Sequence, residues 1–411
     1  MDQHKLYRTL KALAEQRYRT EEQLLNYILN NIIQIEEIPI KGGRIWKLDA
    51  GSGTYRIIKQ HGEMEPIRKN FRLRINDYPM FTLLARRGGS MLASETHKYL
   101  RQKGIRTYAA AGVGELVRWK GHDIYPYVIA INGDYLKKEM TFALNIIGNV
   151  VTSALKNRRI ERKVKQLAQD LDKAREIQRS ILPEHELRFH SYDLYGVSLA
   201  DRVVGGDFFD YLQASDDRER LAVAIGDAAS KGLSAAAQAL YVSGALRMGV
   251  EYQTKMGTFI GRINKLVNRT FTAEHFVSMV YLELLNSENG LVFYVNAGHN
   301  YPILLRTNPD NVEFLPATGQ ILGPFPNEKY ATEFTTMKKG DVLLLHTDGI
   351  TDAANENHEM YGQQRLIKKL KESRNRSPRE ICQFIIEDVQ IFSKLIEYSD
   401  DKTLVVIKRT R

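Results

Sequence analysis

Residues 221–232 read LAVAIGDAASKG, an apolar run from Leu221 to Ile225 that stops at Gly226-Asp227 and passes into small residues. So short a run, ended by a turn signal, predicts a strand with an aspartate at its end. The same texture recurs outward along the chain in FVSMVYLEL (276–284), LVFYVNAGH (291–299), DVLLLHTDG (341–349) and TLVVIKR (403–409). Helical patterns fall at about Ser234–Arg247, Met256–Thr270 and Pro378–Ile396. Helices that cluster between groups of strands predict an α+β layered fold rather than a doubly wound one.

Strand ends are where functional side chains gather, and here they are acidic. Asp227 closes one strand, Asp348 closes LLLHTD, and the Asp400-Asp401 pair opens TLVVIKR. Asp207 follows Gly205-Gly206 in VVGGDFFDY, where two glycines allow a tight turn beside an ion or phosphate. Any one of these aspartates alone reads as a turn or cap residue. As a set they form an all-oxygen group that suits hard cations such as Mg²⁺ or Mn²⁺ better than Zn²⁺. Two such ions lower the pKa of water and screen a phosphoryl group, so phosphate-ester hydrolysis needs no nucleophilic side chain.

VVGGDFFD, IGDAASKGLSAA, VNAGHNYPIL, LLLHTDGITDA, MYGQQRL and SDDKTLVVI follow one another over about residues 190–409. This ordered set resembles the SpoIIE/RsbU branch of the PPM phosphatases. The resemblance implies a β-sandwich flanked by helices, related to protein phosphatases of type 2C. It implies Mn²⁺- or Mg²⁺-dependent removal of phosphate from phosphoserine or phosphothreonine. By position, Asp207 matches the first metal-binding aspartate, Asp227 the bridging one, Ala228 a backbone-carbonyl ligand, and Asp348 and Asp400 the later ligands. The substrate class it implies is a phosphorylated STAS-domain anti-sigma-factor antagonist. Ser230 stands where the family more often has glycine, which is expected to stiffen the turn and tune the activity. Asp210, Asp352 and Asp401 are expected in supporting roles. Arg202 is the nearest candidate for holding substrate phosphate. His299 and His346 invite a general-acid role, but each lies on or at the end of a strand and reads as a packed, hydrogen-bonded residue.

Two rival readings are weighed against this one. GGDFF superficially resembles the GGDEF signature of diguanylate cyclases, but Phe208 stands where that signature is acidic, and HTDG and DDKT have no place in it. A catalytically weak partner-binding scaffold is opposed by the retained carboxylates.

The N-terminal half has a different character. Residues 1–190 hold 34 Lys+Arg against 21 Asp+Glu, whereas 191–411 hold 25 against 28, so the net charge of +10 resides in the first half. The basic residues are scattered, not packed into a run, and nucleic-acid binding is not expected. Thr20 to Gln23 has capping-box form ahead of LLNYILNNIIQI. RIWKLD and TYRIIKQ flank the turn Ala50–Gly53 as a hairpin, and YPYVIAI (125–131) is a further strand. A helix at about Tyr135–Arg159 has Phe142, Leu144, Ile146, Ile147, Val150 and Val151 to set against a sheet. This order resembles the architecture of a GAF domain, which implies a small-molecule or protein signal there or a dimer interface.

Ile160, Val164, Leu167, Leu171 and Ala174 then follow a four-three spacing that predicts a coiled-coil seam and a homodimer, with a solvated spacer helix as the alternative. The seam weakens at Gln178 and ends at Pro183. The expected domains are therefore 1–158 (GAF-like), 159–183 (helical linker) and 184–411 (phosphatase). The first thirty residues hold no apolar stretch of signal-peptide kind and no run is long enough to span a bilayer, so a cytoplasmic location is expected. The lone Cys382 cannot pair internally and reads as a buried structural thiol.

Overall fold

The computed structural model describes residues 18, 20–34, 40–201, 203–252, 254–272, 274–308, 311–394 and 400–411. The chain divides into two compact units, Met1–Gln166 and Leu167–Arg411.

Among the described residues of the first unit, helix α1 (Glu21–Ile33) comes first, its start fixed by a reciprocal capping box. Thr20 Oγ1 accepts the Gln23 N–H at 3.1 Å, and Gln23 Oε1 accepts the Thr20 N–H at 3.2 Å. Strands β1 (Gly42–Asp49), β2 (Thr54–Gly62) and β3 (Arg72–Arg74) follow, then helix α2 (Met80–Arg86), β4 (Ser90–Ser94) and helix α3 (Lys98–Gln102). Next come β5 (Thr107–Val113), the small pair β6 (Val117–Trp119) and β7 (His122–Ile124), β8 (Tyr127–Asn132) and helix α4 (Glu139–Ile181). Six of the strands form one antiparallel sheet, ordered β3-β2-β1-β8-β5-β4.

Side chains alternate across this sheet, so its two faces make two cores. Ile45, Ile129 and Ile131 meet Leu25, Ile28 and Leu29 of α1 and Leu144, Ile147 and Val151 of α4. Trp46, Val128 and Ala130 face the other way, against Tyr55, Phe81 and Tyr108. Two apolar residues expected against the sheet are not there: Phe142 and Ile146 are 68% and 48% exposed. The buried positions step 140, 144, 147, 151, 155, which is one helical face, and residues 142 and 146 fall on another. Helix α4 runs on without interruption through the expected linker, with Ile160, Val164 and Leu167 exposed.

The second unit is built from β9 (Glu186–Phe189), β10 (Tyr192–Leu199), β11 (Phe208–Leu212), β12 (Arg220–Ala228), helices α5 (Leu233–Val250) and α6 (Met256–Thr270), β13 (Val277–Leu285) and β14 (Leu291–Ala297). Strands β15 (Ile303–Leu305), β16 (Val312–Phe314), β17 (Glu333–Thr336) and β18 (Val342–His346) precede the short helix α7 (Asp348–Thr351). Helices α8 (Gly362–Ser373) and α9 (Pro378–Phe392) and strand β19 (Lys402–Arg409) complete it. Two antiparallel sheets result, β16-β15-β18-β19-β10-β9 and β11-β12-β13-β14-β17.

The continuous apolar runs are explained by burial on both faces. Val223 and Ile225 of β12 meet Leu343 and Leu345 of β18 and Val405 and Ile407 of β19 between the sheets. Their neighbours Ala222 and Ala224 turn outward against α5 and α6. Leu344, Leu404 and Val406 turn outward against α8 and α9. The unit is a helix-sheet-sheet-helix sandwich. Cys382 on α9 is fully buried, with Sγ 3.7 Å from the Tyr195 carbonyl, and burial pushes its thiol pKa up. Helix α9 begins on a Ser377/Glu380 capping box with Pro378 in its first turn and ends at Phe392, short of the expected Ile396, which lies outside the described residues.

Candidate active site

Strand register brings the aspartates to one end of the sandwich. The last pair of β11 and β12 is Phe208 with Gly226, so one step further sets Asp207 opposite Asp227. In the other sheet the last pair of β18 and β19 is His346 with Leu404, and the Thr347 N–H continues the ladder to the Thr403 carbonyl at 3.1 Å. Asp348 opens α7, and Asp400 and Asp401 lead into β19.

Thr347 ties the two sheets together. Its Oγ1 donates to Asp207 Oδ2 at 2.7 Å and accepts the Thr403 N–H at 3.1 Å. Asp401 does the same for the glycine turn: Oδ2 accepts from Gly206 N at 2.6 Å and Asp207 N at 3.4 Å, and Oδ1 from Asp201 N at 2.8 Å. The glycines are needed for this close approach. A Cβ on Gly205 would lie 2.5 Å from Asp401 Oδ2, and one on Gly349 would lie 1.9 Å from the Asp401 carbonyl oxygen.

The electrostatics are those of crowded negative charge. Burial, then Asp227, holds the Asp207 carboxyl well above the usual range. Burial, then Asp348, Asp400 and Asp401, lifts Asp227 to about 7. Burial, then Asp352 and Asp400, raises Asp348. Lys231 Nζ approaches Asp400 Oδ2 at 3.4 Å from an exposed position. Lys402 is buried nearby, its pKa lowered by burial against the pull of Asp201, Asp400, Asp401 and Asp207.

Among the described residues, no three His, Cys, Asp or Glu side chains are gathered into a ready cation cage. A hard ion does not require one. Mg²⁺ is commonly held by one or two carboxylates, with water completing its octahedron. The paired, mutually repelling carboxylates therefore fit a hard divalent cation in both chemistry and charge. The Ala228 carbonyl accepts the Ser230 N–H at 2.7 Å and keeps a second lone pair.

The remaining expected residues separate clearly. Asp210 is turned away: its carboxylate is bound by Arg247 (Nε 2.6 Å, Nη2 3.1 Å) and Ser243 (3.2 Å) on α5. Asp352 sits beside Asp348, accepting the Thr351 hydroxyl at 3.1 Å. Ser230 does not adopt a positive φ, so glycine is not demanded there, and its hydroxyl accepts from Gln238 Nε2 at 2.7 Å. His299 and His346 are buried and depressed in pKa by that burial, His299 to about 3. His299 Nδ1 meets Ser278 Oγ at 2.7 Å, and His346 Nδ1 donates to the Thr347 carbonyl at 3.0 Å, which is the packed role expected of them. Arg202 lies outside the described residues.

Sequence reasoning missed Thr347 and Lys231. It also read Gln178 only as a weak seam position. Gln178 on α4 instead grips Gly205 at both backbone groups, Nε2 to O at 2.7 Å and N to Oε1 at 3.2 Å.

Residues 217–410 match the family model of stage II sporulation protein E, SpoIIE. Protein IcfG of Synechocystis sp. is 28% identical over 227 residues, 49% of this chain but only 35% of that protein. Phosphoserine phosphatase RsbU of Bacillus subtilis is 25% identical over 247 residues, 59% of this chain and 71% of that protein. The SiaA-PP2C domain of Pseudomonas aeruginosa superposes with a TM-score of 0.53 at 19% identity, covering 60% of this chain and 98% of that domain, a likeness of fold. The matched span begins after the Gly205-Gly206-Asp207 turn, which joins the site through Thr347 and Asp401. Residues 217–410, then, match the SpoIIE family model, and the second unit has a PP2C-like sandwich fold.

Proposed function

We propose that the second unit is a metal-dependent protein serine/threonine phosphatase. The observation that carries this reading is the buried Asp207 beside the half-buried Asp227, crowded by Asp348 and Asp400 at one end of the sandwich. Asp207, Asp227, Asp348, Asp400 and the Ala228 carbonyl would hold two Mn²⁺ or Mg²⁺ ions. Those ions, when bound, supply Lewis acidity toward phosphoryl oxygens and lower the pKa of water. The chain's own residues do the positioning. Thr347 fixes one oxygen of Asp207, Asp401 fixes the backbone of the glycine turn, and Lys231 adds positive charge at the exposed rim beside Asp400.

In this reading residues 1–158 form a GAF-like regulatory unit taking a small-molecule or protein signal, 159–183 a helical linker, and 184–411 the enzyme. Exposed Ile160, Val164 and Leu167 suit a homodimeric coiled coil. The Gln178 grip on Gly205 offers a route from the helix to Asp207. The substrate class is a phosphorylated STAS-domain protein, by resemblance. A cytoplasmic setting fits, and no helix among the described residues is long and apolar enough to cross a membrane.

The test is hydrolysis of a chromogenic phosphate ester with and without Mn²⁺ by the wild type and Asp348→Ala. Activity that needs no metal, or that survives the substitution, would overturn the metal-dependent mechanism, and no hydrolysis with Mn²⁺ would leave the scaffold reading in its place.

A further inference from the structure

One buried polar group in the first unit is badly matched to its partner. Arg44 on β1 is 5% exposed, and it lies on the sheet face that carries Trp46, Val128 and Ala130. A guanidinium offers five donors in a planar fork suited to a carboxylate. The hydrogen bond it makes is from Nη2 to the thioether of Met64 at 3.3 Å. Asn132, 2% exposed, lies on the same face of the neighbouring strand and also gives its Nδ2 to Met64 Sδ, while its Oδ1 has no partner. A thioether is a weak acceptor, so one sulfur stands in for a better group before two strong donors. Burial lowers the Arg44 pKa to about 10, against the pull of Glu95 and Tyr78. Glu95, itself 5% exposed, already accepts the Tyr78 hydroxyl at 2.8 Å and the His97 N–H at 2.8 Å.

The place where Met64 lies has no side chain of its own beneath it. Gly42 pairs with Asn132 on one side and Gly62 on the other, and a Cβ on Gly42 would lie 3.1 Å from Met64 Sδ. Met64 belongs to an irregular segment between Gly62, at φ +112°, and Ile67. Ile67 is pinned by reciprocal bonds to the Gln60 side chain at 2.8 and 2.9 Å. Met64 is thus a plug on a short bridge outside the regular strands, anchored at one end by the Glu63 N–H on the Lys41 carbonyl at 2.9 Å and at the other by Ile67.

We propose that Arg44 and Asn132 form a receptor for a small carboxylic acid bearing a hydroxyl or amino group next to its carboxylate, and that Met64 is the displaceable plug. The carboxylate takes the guanidinium fork. The adjacent O–H or N–H gives Asn132 Oδ1 the donor it lacks, and an ammonium additionally offsets Glu95. This site lies within the first unit, so it stands or falls apart from the phosphatase reading.

The test is calorimetric titration of the full chain, stripped of divalent metal with a chelator, with lactate, alanine and aspartate, with acetate and inorganic phosphate as controls and tryptophan emission as a second readout. At least one of the three acids binds, acetate binds more weakly, and phosphate does not bind. Arg44→Gln weakens binding by about 10–100-fold, as loss of a charged hydrogen-bond donor does. Met64→Ala tightens it by about tenfold, because the closed state no longer competes. Three outcomes overturn the proposal: no heat from any acid with either the wild type or Met64→Ala, a response to phosphate in place of the acids, or unchanged binding by a folded Arg44→Gln.

Discussion

Asp401 holds Gly206 by its backbone: the carboxylate Oδ2 accepts the Gly206 N–H at 2.6 Å, and Asp207 is the next residue. A support of this kind around a metal-binding carboxylate is worth about 10–100-fold in activity or metal affinity. Asp401→Ala is therefore expected to lower kcat/KM by that factor and raise the Mn²⁺ concentration for half-maximal activity. Asp401→Asn, keeping one acceptor oxygen, falls between. A loss of thermal stability with unchanged Mn²⁺ dependence would make Asp401 a merely structural residue.

Thr347 is asked to serve two partners at once. Thr347→Val keeps the shape but leaves Asp207 Oδ2 without its donor and the Thr403 N–H without its acceptor, both buried. Each unsatisfied group costs about 1–3 kcal/mol. The expected result is a drop in the unfolding midpoint together with loss of activity, with Thr347→Ser restoring both. Urea titration of the three proteins, paired with ester hydrolysis, separates this from a local packing effect, which serine would not rescue.

The crowded aspartates set a stability cost that depends on pH. Asp227 has its pKa raised to about 7 from an ordinary carboxyl value by burial and by Asp348, Asp400 and Asp401. Between roughly pH 4 and pH 7 the folded protein thus binds more protons than the unfolded one, and stability falls as pH rises through that window. Asp227→Asn removes the charge. Without metal, the variant is expected to melt above the wild type at pH 8, by about 2–4 °C per kcal/mol relieved, with the gap closing toward pH 4. Mn²⁺ should raise the wild-type midpoint and leave the variant's nearly unchanged. A variant that melts lower than the wild type at pH 8 contradicts the repulsion.

What was legible in the sequence follows from burial. Strands β12, β18 and β19 are covered on both faces, so they read as apolar runs whose ends are unmistakable, and the aspartates at those ends come together. What was hidden follows from distance along the chain. Thr347 meets Asp207 across 140 positions and Asp401 meets Gly206 across 195, and nothing local distinguishes such a threonine from a turn residue. Helix α4 was misread at Phe142 and Ile146 because its apolar residues crowd more than one face, and only packing selects which face is covered. Arg44 sits inside RIWKLD in step with Trp46 and Leu48, and the structure buries it on their face, which the presence of a charge alone does not announce.

His299 gives the opposite pH slope. It is buried, and its Nδ1 is engaged with Ser278 Oγ at 2.7 Å. Burial, with the neighbouring His346, depresses its pKa from 6.5 to about 3. Between those values the unfolded chain binds the proton and the folded one does not. The stability that the neutral ring contributes is complete above about pH 6.5 and is lost as pH falls toward 3, by up to about 5 kcal/mol. His299→Gln has no such proton to exclude. Its unfolding free energy, lower than the wild type's at pH 7 if the Ser278 bond is impaired, is expected to decline less between pH 7 and pH 5 when the two proteins are compared in the same denaturant series. Parallel declines would mean that His299 takes up its proton in the folded state as readily as in the unfolded one.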